Sequence, residues 1–446
     1  MQEKTKSIYY LGGKGAFTSE IKKVIDEITI KKNGRICDLF SGSGVVGHYL
    51  SRTNPVTTVD IQEYSRVLSS AYFNLSFVDF DKIELMLESI LSSELFNHLY
   101  KYLNALIQYE IKAIEKSKFG DFEDLLKIIE GVPLIANEEG SDLHTVYNLL
   151  KTDCQFGLLS SGIDLAKHTT TLRYFGGIYF SYYQSLILDM ILGLSEKVND
   201  NEKDFVVSLA LCSASTLVNT IGKQFAQPLR PRNKDGSVKK NIHTLVSKDR
   251  ILDPIKIAIN WLNKYRSYTL SGMNSNSKAL RMDYLSAIKN YGDQFSVVYA
   301  DPPYTRDHYS RFYHVLETMA LRDEPQISVT TRAGKVSLSR GIYREIRHQS
   351  PFCIRSKAIP AFEDLFCACS DNGLPLVLSY SPHEEGDGTH PRVVSTKNII
   401  ESASAYFNDI TVIPVDGITH NKFNKRELEL DKRHTAEILI KCDRPK

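Results

Sequence analysis

The feature that most constrains the fold is a glycine-rich turn between two short β-rich runs near the N-terminus. Residues 35–39 (RICDL) and 55–60 (PVTTVD) have the composition of strands, and residues 45–51 have a helical pattern. Gly42 and Gly44 lie in the connecting turn, where glycine allows a sharp bend and a close approach to the backbone. A strand, a short turn, a helix and a second strand make the repeating unit of a parallel α/β sheet.

The same alternation returns in the C-terminal part of the chain, after a long helical stretch. Further strands are predicted at residues 296–300, 374–380, 410–415 and 435–442. Between residues 79 and 268 the apolar residues recur at three- and four-residue spacing, which is typical of helices. We therefore predict an α/β fold, in which a Rossmann-like, mostly parallel sheet (residues 1–75 and 276–446) is interrupted by a large, mostly helical inserted domain (residues 76–275).

Composition excludes several other classes of protein. Hydrophobic residues make up 42% of the chain and charged residues 24%, which is ordinary for a globular protein. The best apolar run, residues 186–194, is interrupted by Asp189, and no 18-residue run is available to span a membrane. The polar residues 1–7 do not resemble a secretory signal, and the seven scattered cysteines include no CxxC pair. We expect a cytoplasmic protein with reduced thiols, no membrane association and no metal site.

A first candidate ligand site is the run DLFSGSG at residues 38–44. Asp38 ends one predicted strand, and a second acid, Asp60, ends the next strand 22 residues later. A doubly wound fold places a carboxylate at this second position against ribose hydroxyls. Residues 42–47 also match the GxGxxG pattern of dinucleotide-binding enzymes. On this segment alone, a nicotinamide-dependent enzyme remains open, as does a tight turn that binds nothing.

A second candidate site is the run DPPY at residues 301–304, directly after a predicted apolar strand. Proline removes a backbone donor and fixes φ, so this loop is stiff and presents carbonyl oxygens. A carboxylate and a neighbouring carbonyl can accept two N–H bonds from one exocyclic amine, and Tyr304 can stack on the ring that carries the amine. The run therefore suits a planar nucleobase with an amino group.

These two runs together resemble the motifs of the S-adenosylmethionine-dependent adenine-N6 methyltransferases of DNA, the Dam-like D12 class with the α-group motif order. Two further runs agree with that family: YLGGK at residues 10–14 and RMDY at residues 281–284. The resemblance implies that S-adenosyl-L-methionine is the cofactor. The residues it assigns to cofactor binding are Tyr10, Gly13, Lys14, Asp38, Phe40, Ser41, Gly42, Gly44, Asp60, Ile61, Asp283 and Tyr284.

The resemblance also assigns a catalytic role to Asp301, Pro302, Pro303 and Tyr304. Hydrogen bonds from the adenine N6 amine to the Asp301 carboxylate and the Pro302 carbonyl would localise the nitrogen lone pair for attack on a methyl group. The target nitrogen lies inside a duplex, so the base must be flipped out, and Tyr304 would replace the lost stacking. The sulfonium already activates the methyl group, so the reaction requires no metal.

The inserted domain occupies the position of the target-recognition region in the α group, and two basic segments are candidates for DNA contact. Residues 230–240 hold five Lys or Arg against one acid, and residues 332–357 hold seven against one. Such a bias suits a polyanion, although a solvated basic face gives the same pattern. The predicted DNA-binding residues are Arg230, Arg232, Lys234, Lys239, Lys240, Arg332, Lys335 and Arg340.

We therefore expect a site-specific DNA adenine methyltransferase that acts on double-stranded DNA. The resemblance places it in a restriction-modification or phage-defence system, with a restriction or defence protein as a possible partner. Methylation of adenine in RNA is an alternative, because an unpaired adenine would fit the same pocket. A non-catalytic nucleic-acid binder with the same fold is a second alternative. The sequence leaves the recognition site and the oligomeric state open.

Overall fold

The computed structural model describes residues 8–10, 12–31, 34–136, 145–269, 276–305, 309–332, 334–381, 392–416 and 435–446. Within these ranges, the side chains of Arg332, Lys335, Asp416, Thr435 and Ala436 are not described.

The described residues form helices along most of the chain. They are α1 Thr18–Ile28, α2 Val45–Leu50, α3 Glu63–Phe73, α4 Phe80–Glu88, α5 Glu94–Ser117, α6 Glu123–Glu130, α7 Val146–Leu159, α8 Leu165–His168, α9 Thr170–Phe175, α10 Tyr182–Leu194, α11 Asp200–Leu217, α12 Ile242–Arg250, α13 Pro254–Tyr268, α14 Tyr284–Tyr291, α15 Tyr309–Phe312, α16 His314–Leu321, α17 Ala358–Asp371 and α18 Thr396–Ala403. None of the described helices combines the length and apolar character that crossing a membrane requires.

The strands lie mainly in the two terminal parts of the chain. They are β1 Ile36–Leu39, β2 Val56–Asp60, β3 Lys278–Arg281, β4 Val297–Ala300, β5 Val329–Arg332, β6 Lys335–Leu338, β7 Leu376–Tyr380, β8 Phe407–Asp416 and β9 Thr435–Pro445. Seven of these described strands form one sheet in the order β3-β2-β1-β4-β7-β9-β8. The first five are parallel, and β9 pairs antiparallel with both β7 and β8. The prediction of a mostly parallel α/β sheet is confirmed.

Two short elements were not predicted. The edge strand β3 is only four residues long and half-exposed, so it lacks the apolar run that identifies β1 or β4. The antiparallel hairpin of β5 and β6 is separate from the main sheet. Its strands are also four residues long, and Val329 and Val336 are exposed. Hydrophobic patterning identifies a strand only where one face is buried, which explains both omissions.

The chain divides into two compact units. The sheet unit contains residues 1–76, 267–310 and 348–446, and the helical unit contains residues 77–266 and 311–347. The first boundary lies next to the predicted one at residue 75. Residues 311–347 lie in the helical unit, however, whereas the sequence placed all of residues 276–446 in the sheet domain. A recognition role for the helical unit remains a prediction.

The core of the sheet unit lies against the central strands. Every residue of β1, β4 and β7 is buried, so both faces of the sheet are covered. Helix α1 buries Ile21, Val24, Ile25 and Ile28, which share one face at helical spacing. With both faces packed, the carboxyl edge of the parallel strands is left as the place where loops can form a ligand site.

The helical unit is organised around two buried helices, α10 and α11. Each begins with a capping box, Ser181 with Gln184 and Asn199 with Glu202, in which side chains satisfy the first backbone amides. Most of α10 is buried, and so are the aromatic residues before it, Tyr174, Phe175, Tyr179 and Phe180.

Candidate functional site

A cavity lies at the carboxyl edge of β1, β2 and β4, and its lining residues belong to the sheet unit. The structure brings together eleven of the predicted catalytic and cofactor-binding residues in its wall. They are Tyr10, Lys14, Phe40, Asp60, Ile61, Asp283, Tyr284, Asp301, Pro302, Pro303 and Tyr304. The four runs that are far apart in sequence therefore meet at one edge of the sheet.

The other five predicted residues, Gly13, Asp38, Ser41, Gly42 and Gly44, are not part of the cavity wall. The two glycines of the turn have left-handed backbone angles, with φ of +53° at Gly42 and +75° at Gly44. A Cβ atom on Gly42 would lie 2.3 Å from the Tyr10 hydroxyl. The glycines therefore shape the turn and let Tyr10 approach it closely.

Asp60 at the end of β2 is held by two backbone amides. Gly42 N–H donates to Oδ2 and Gln62 N–H donates to Oδ1, both at 2.9 Å. Burial raises the pKa of this carboxyl above its usual value, and the two hydrogen bonds oppose that rise. The carboxylate thus ties the glycine-rich turn to the end of the neighbouring strand while lining the cavity.

Asp283 has a second local role, because it caps α14. Its Oδ1 accepts from Leu285 N–H at 3.0 Å and from Ser286 N–H at 3.3 Å. The next residue, Tyr284, packs with Phe40 at 5.2 Å and with Phe352 at 5.4 Å between ring centroids. An acid beside a group of aromatic rings provides both an acceptor and an apolar surface for a planar, amine-bearing ring.

Asp38 is buried beneath the turn, with a side chain outside the cavity wall. Burial and the charge of Asp301 hold the pKa of this carboxyl well above its usual value. Its Oδ2 atom has no hydrogen-bond partner among the described residues. A Cβ atom on Gly47 would lie 2.9 Å from this oxygen, so the carboxyl packs closely against the start of α2.

Asp301, directly after β4, forms part of a buried charged group. Lys14 Nζ lies 3.1 Å from Asp301 Oδ1 and 3.2 Å from Glu437 Oε2. Burial lowers the pKa of the Lys14 ammonium, but the two carboxylates outweigh this effect and raise it well above its usual value. Lys14 is therefore charged between the two acids.

Tyr304 is enclosed on several sides. Its ring meets Tyr380 in a T-shaped contact at 5.2 Å, and the Arg392 guanidinium carbon lies 4.7 Å from its centroid. Burial raises the pKa of Tyr304 to about 12, so its phenol is neutral at physiological pH. A base that stacks on this ring would compete with Arg392 for it.

Sequence reasoning missed several residues of the cavity and its surroundings. Glu437 lies near the start of β9, and because β9 is antiparallel, its start lies beside the carboxyl end of β7. An acid directly before the apolar run of residues 438–440, within the predicted strand TAEILIKC, was the signal that could have identified it. The cavity wall also includes His348 and Cys353, whose flanking sequence carries no motif.

The predicted DNA-binding residues of the helical unit are in diverse settings. Arg230, Lys234, Lys240 and Arg340 are exposed, and Lys239 is half-buried. Arg232 is engaged in an ion pair with Glu130, with Nε 2.8 Å from Oε1. Arg332 and Lys335 lie on β5 and β6, and their side chains are outside the described part of the structure.

Two arginines that are absent from the predicted DNA-binding residues, Arg311 and Arg347, lie close to the Tyr343 ring. The guanidinium carbons of Arg311 and Arg347 lie 5.6 and 5.4 Å from the Tyr343 ring centroid. The charge of Arg230 also acts on the Tyr343 phenol. We call Arg230, Arg311, Arg340 and Arg347 the arginine cluster.

The arginine cluster carries unbalanced positive charge. Burial, followed by the charge of Arg311, lowers the pKa of Arg347, and burial and Arg230 lower the pKa of Arg340. No carboxylate among the described residues lies within ion-pair distance of any of the four arginines. Such a group favours a polyanion as its ligand.

Among the described residues, no group of three or more His, Cys, Asp or Glu side chains is arranged to hold a metal ion. The site is instead defined by carboxylates, aromatic rings and one buried lysine.

Comparison with known proteins adds to this geometry. The chain is 41% identical over 145 residues to the modification methylase LlaI of Lactococcus lactis subsp. lactis, which covers 32% of this chain and 20% of that protein. It is 23% identical over 381 residues to the type II methyltransferase M.FokI of Planomicrobium okeanokoites, which covers 83% of this chain and 44% of that protein. The chain thus spans less than half the length of either relative.

The family model for D12 class N6 adenine-specific DNA methyltransferases matches residues 10–125 and 237–364, which is more than half of the chain. The matched segments contain the glycine-rich turn, the DPPY run and the acid Asp283 that line or support the cavity. The chain therefore belongs to the D12 class N6 adenine-specific DNA methyltransferase family.

Proposed function

We propose that this protein transfers a methyl group from S-adenosyl-L-methionine to N6 of an adenine flipped out of double-stranded DNA, at a specific site. The observation that carries the proposal is the meeting of DPPY with Asp60, Asp283 and Phe40 in one cavity wall. A nucleobase-amine acceptor and a nucleoside-binding set of acids and aromatics thereby share one pocket. A nicotinamide enzyme would leave the DPPY run without a role.

The residues of the cavity fit the cofactor. Asp60 would accept from the ribose hydroxyls, and Asp283 would accept from the adenine amine beside the rings of Phe40 and Tyr284. Tyr10 and Lys14 would bound the other end of the pocket. S-adenosyl-L-methionine supplies a methyl group that is already activated by a sulfonium centre.

The DPPY residues would prepare the nitrogen of the target base. The amine hydrogens donate to the Asp301 carboxylate and the Pro302 carbonyl, which localises the nitrogen lone pair. As the N6 nitrogen formed its bond to the methyl carbon, the bond from that carbon to the sulfonium sulfur would break, and the sulfur would leave as a neutral thioether. Asp301 would stabilise the positive charge on the nitrogen until one amine proton was lost to solvent. Because these groups are fixed by β4 and by proline, little reorganisation is needed during the reaction.

Tyr304 is proposed to hold the flipped base. Extraction of a base from the duplex costs a few kcal/mol, and stacking on an aromatic ring offsets part of that cost. Since Arg392 lies over the same ring, binding of the base would move this side chain aside.

The helical unit is proposed to bind and recognise the DNA. The arginine cluster and the basic loop with Arg230, Lys234, Lys239 and Lys240 would contact phosphates, which positions the duplex without reading its sequence. The names of the two relatives, a modification methylase and a type II methyltransferase, favour a restriction-modification setting. In that setting the protein would act in the cytoplasm beside a cognate restriction protein.

Transfer of labelled methyl groups tests the proposed function. The purified protein is incubated with labelled S-adenosyl-L-methionine and with phage DNA, RNA or no substrate, and the nucleosides are analysed by mass spectrometry. We expect N6-methyladenine in DNA, at positions that sequencing assigns to one recognition site. N4-methylcytosine, label in RNA alone, or no transfer despite cofactor binding would contradict the proposal.

A further inference from the structure

The buried charged group beside the DPPY run contains one acid that no motif assigned. Lys14 lies between Asp301 and Glu437 at 3.1 and 3.2 Å, and the Lys14 and Glu437 side chains are 3% and 1% exposed. The other carboxylate oxygen of Glu437, Oε1, accepts from Ser379 Oγ at 3.2 Å. Asp301 is 22% exposed and lines the cavity, so it is the member of the group that faces a substrate.

Glu437 decides the net charge of this group. Lys14 alone would cancel the negative charge of Asp301 at close range. With Glu437 ionised on the other side of the ammonium, the three groups together carry one net negative charge. Because the group is buried in low-dielectric surroundings, a difference of one unit of net charge changes the electrostatic energy by more than it would in water.

The other groups that face Lys14 do not supply this charge. Among the described residues, Tyr299 and Tyr304 are the next-largest electrostatic influences on Lys14 after the two acids. Burial raises the pKa of Tyr304 to about 12 and that of Tyr299 well above its usual value, so both phenols are neutral. Asp38 interacts electrostatically with Asp301, and the Arg392 guanidinium lies over the Tyr304 ring. Neither group takes part in the contact between Lys14 and Glu437.

We propose that Glu437 is a positioning residue for methyl transfer, which balances the charge of Lys14 so that Asp301 keeps a net negative charge toward the amine of the target base. This inference rests on the proposed function. The amine becomes positive as the nitrogen–carbon bond forms, so a net negative charge beside it stabilises the transition state more than the ground state. Glu437 acts through Lys14 and touches neither substrate nor cofactor.

Stability alone is a poor explanation for Glu437. A buried ion pair is often no more stabilising than well-packed apolar residues of the same volume. The neighbouring residues of β9, Ile438, Leu439 and Ile440, are apolar and buried, so the strand accepts such side chains. A charged residue at this position therefore calls for a role other than packing.

The test compares Glu437→Gln with a matched control, Glu202→Gln. Glu202 lies in the helical unit, is also 1% exposed, and pairs with Lys82 at 3.1 Å through Oε2. We expect Glu437→Gln to slow single-turnover methyl transfer by about 10- to 100-fold, less than the ~10²–10³ loss from removing a group in contact with the reacting atoms. Cofactor affinity should stay within about twofold of wild type, and Glu202→Gln should transfer at nearly the wild-type rate.

Two further variants separate positioning from structural damage. Glu437→Asp keeps the charge and should recover most of the lost rate. In a Lys14→Gln background, Glu437→Gln should cause no further loss, because the charge it balances is gone. Each of three outcomes would overturn the inference. They are a wild-type rate in Glu437→Gln, an additive loss of rate in the double variant, and a rate in Glu437→Asp as low as that in Glu437→Gln. A wild-type protein that transfers no methyl group would overturn the proposed function as well, which distinguishes the two failures.

Discussion

The cavity of the sheet unit and the arginine cluster of the helical unit differ in how their charged groups are arranged. In the cavity, Lys14 is buried between Asp301 and Glu437, and Asp60 is bound by two backbone amides. In the arginine cluster, Arg311 and Arg347 lie close to the Tyr343 ring, and the exposed and half-buried guanidinium groups repel one another electrostatically. Buried charges that are fixed by ion pairs and hydrogen bonds suit chemistry on a small group, whereas surface arginines without paired carboxylates suit attraction of a polyanion.

This comparison predicts different consequences for loss of charge in the two regions. Changes in the cavity should alter the rate of transfer or the affinity for the cofactor. Changes in the arginine cluster should alter the affinity for DNA and its dependence on salt.

The largest expected effect is that of Asp301→Ala. Methyl transfer should fall by at least about 10³-fold, because the amine loses its charged acceptor, while cofactor affinity changes by no more than a few-fold. Single-turnover transfer and calorimetric titration with S-adenosyl-L-methionine measure the two quantities. Wild-type turnover by this variant would refute the role proposed for the DPPY carboxylate.

The next largest effect is expected on the stability of the protein in acid, where one buried histidine of each unit can be compared. Burial lowers the pKa of His48 in the sheet unit to about 3 and that of His314 in the helical unit to about 4. Both rings are neutral in the folded protein, and below about pH 6.5 each ring takes up a proton when the protein unfolds. Their contribution to stability is therefore fully present above that pH and is lost as the pH falls. Each histidine should lower the free energy of unfolding by about 2 kcal/mol at pH 5 relative to pH 7.5.

Urea unfolding of His48→Gln and His314→Gln at these two pH values checks the contribution of each ring. Each variant should lose less stability between pH 7.5 and pH 5 than wild type does. An unchanged pH dependence in His48→Gln would show that this ring is protonated in the folded sheet unit.

A smaller effect is expected at the glycine-rich turn. In Gly42→Ala, the new Cβ would lie 2.3 Å from the Tyr10 hydroxyl and displace it, so cofactor affinity should fall by about 10-fold. Gly373→Ala is the matched control, because Gly373 also has a left-handed φ, +63°, but nothing lies within 4 Å of its added Cβ. Both variants should lose about 1 kcal/mol of stability from backbone strain. Equal cofactor affinities in Gly42→Ala and Gly373→Ala would show that the close approach of Tyr10 to the turn is not needed for binding.

The smallest effect per residue is expected in the arginine cluster. Arg311→Gln and Arg347→Gln should each weaken DNA binding several-fold and reduce the slope of log K against log salt by up to about one unit. Arg266→Gln is the control within the helical unit, because Arg266 is neutralised by Asp81 and Glu84. Binding titrations over a range of salt concentrations separate these cases. An unchanged slope in both variants would show that the arginine cluster does not touch phosphate.

Much of the sheet unit could be predicted because its information is local. A few consecutive residues are enough to predict a short apolar strand or a glycine-rich turn. The same is true of an acid or a DPPY run at the end of a strand. In a parallel sheet, strand ends meet at one edge, so residues 38–44 and 301–304 could be expected to share a site before any coordinates were known. The family resemblance alone added residues 10–14 and 281–284 to that site. The structure places residues of all four runs around one cavity.

Other features needed the tertiary structure. Residues 311–347 belong with the helical unit although they follow the DPPY run, because compactness depends on contacts that sequence order does not record. The arginine cluster combines a loop near residue 230 with residues 311, 340 and 347, and no periodicity links them. Four of the predicted cofactor residues, Asp38, Ser41, Gly42 and Gly44, belong to the glycine-rich turn without lining the cavity, which a motif cannot distinguish.

By itself, the sequence determined the α/β sheet, the order of its motifs and 11 of the 23 residues of the cavity wall, because strand patterning, turn chemistry and short motifs are set by neighbouring residues. Only the tertiary structure decided that Glu437, near the end of the chain, lies against Lys14, near its beginning. That contact follows from the antiparallel insertion of β9 beside β7, which brings the start of β9 to the carboxyl edge of the parallel strands. Strand direction and sheet order are global properties, so the partner of a buried charge is fixed by the fold as a whole.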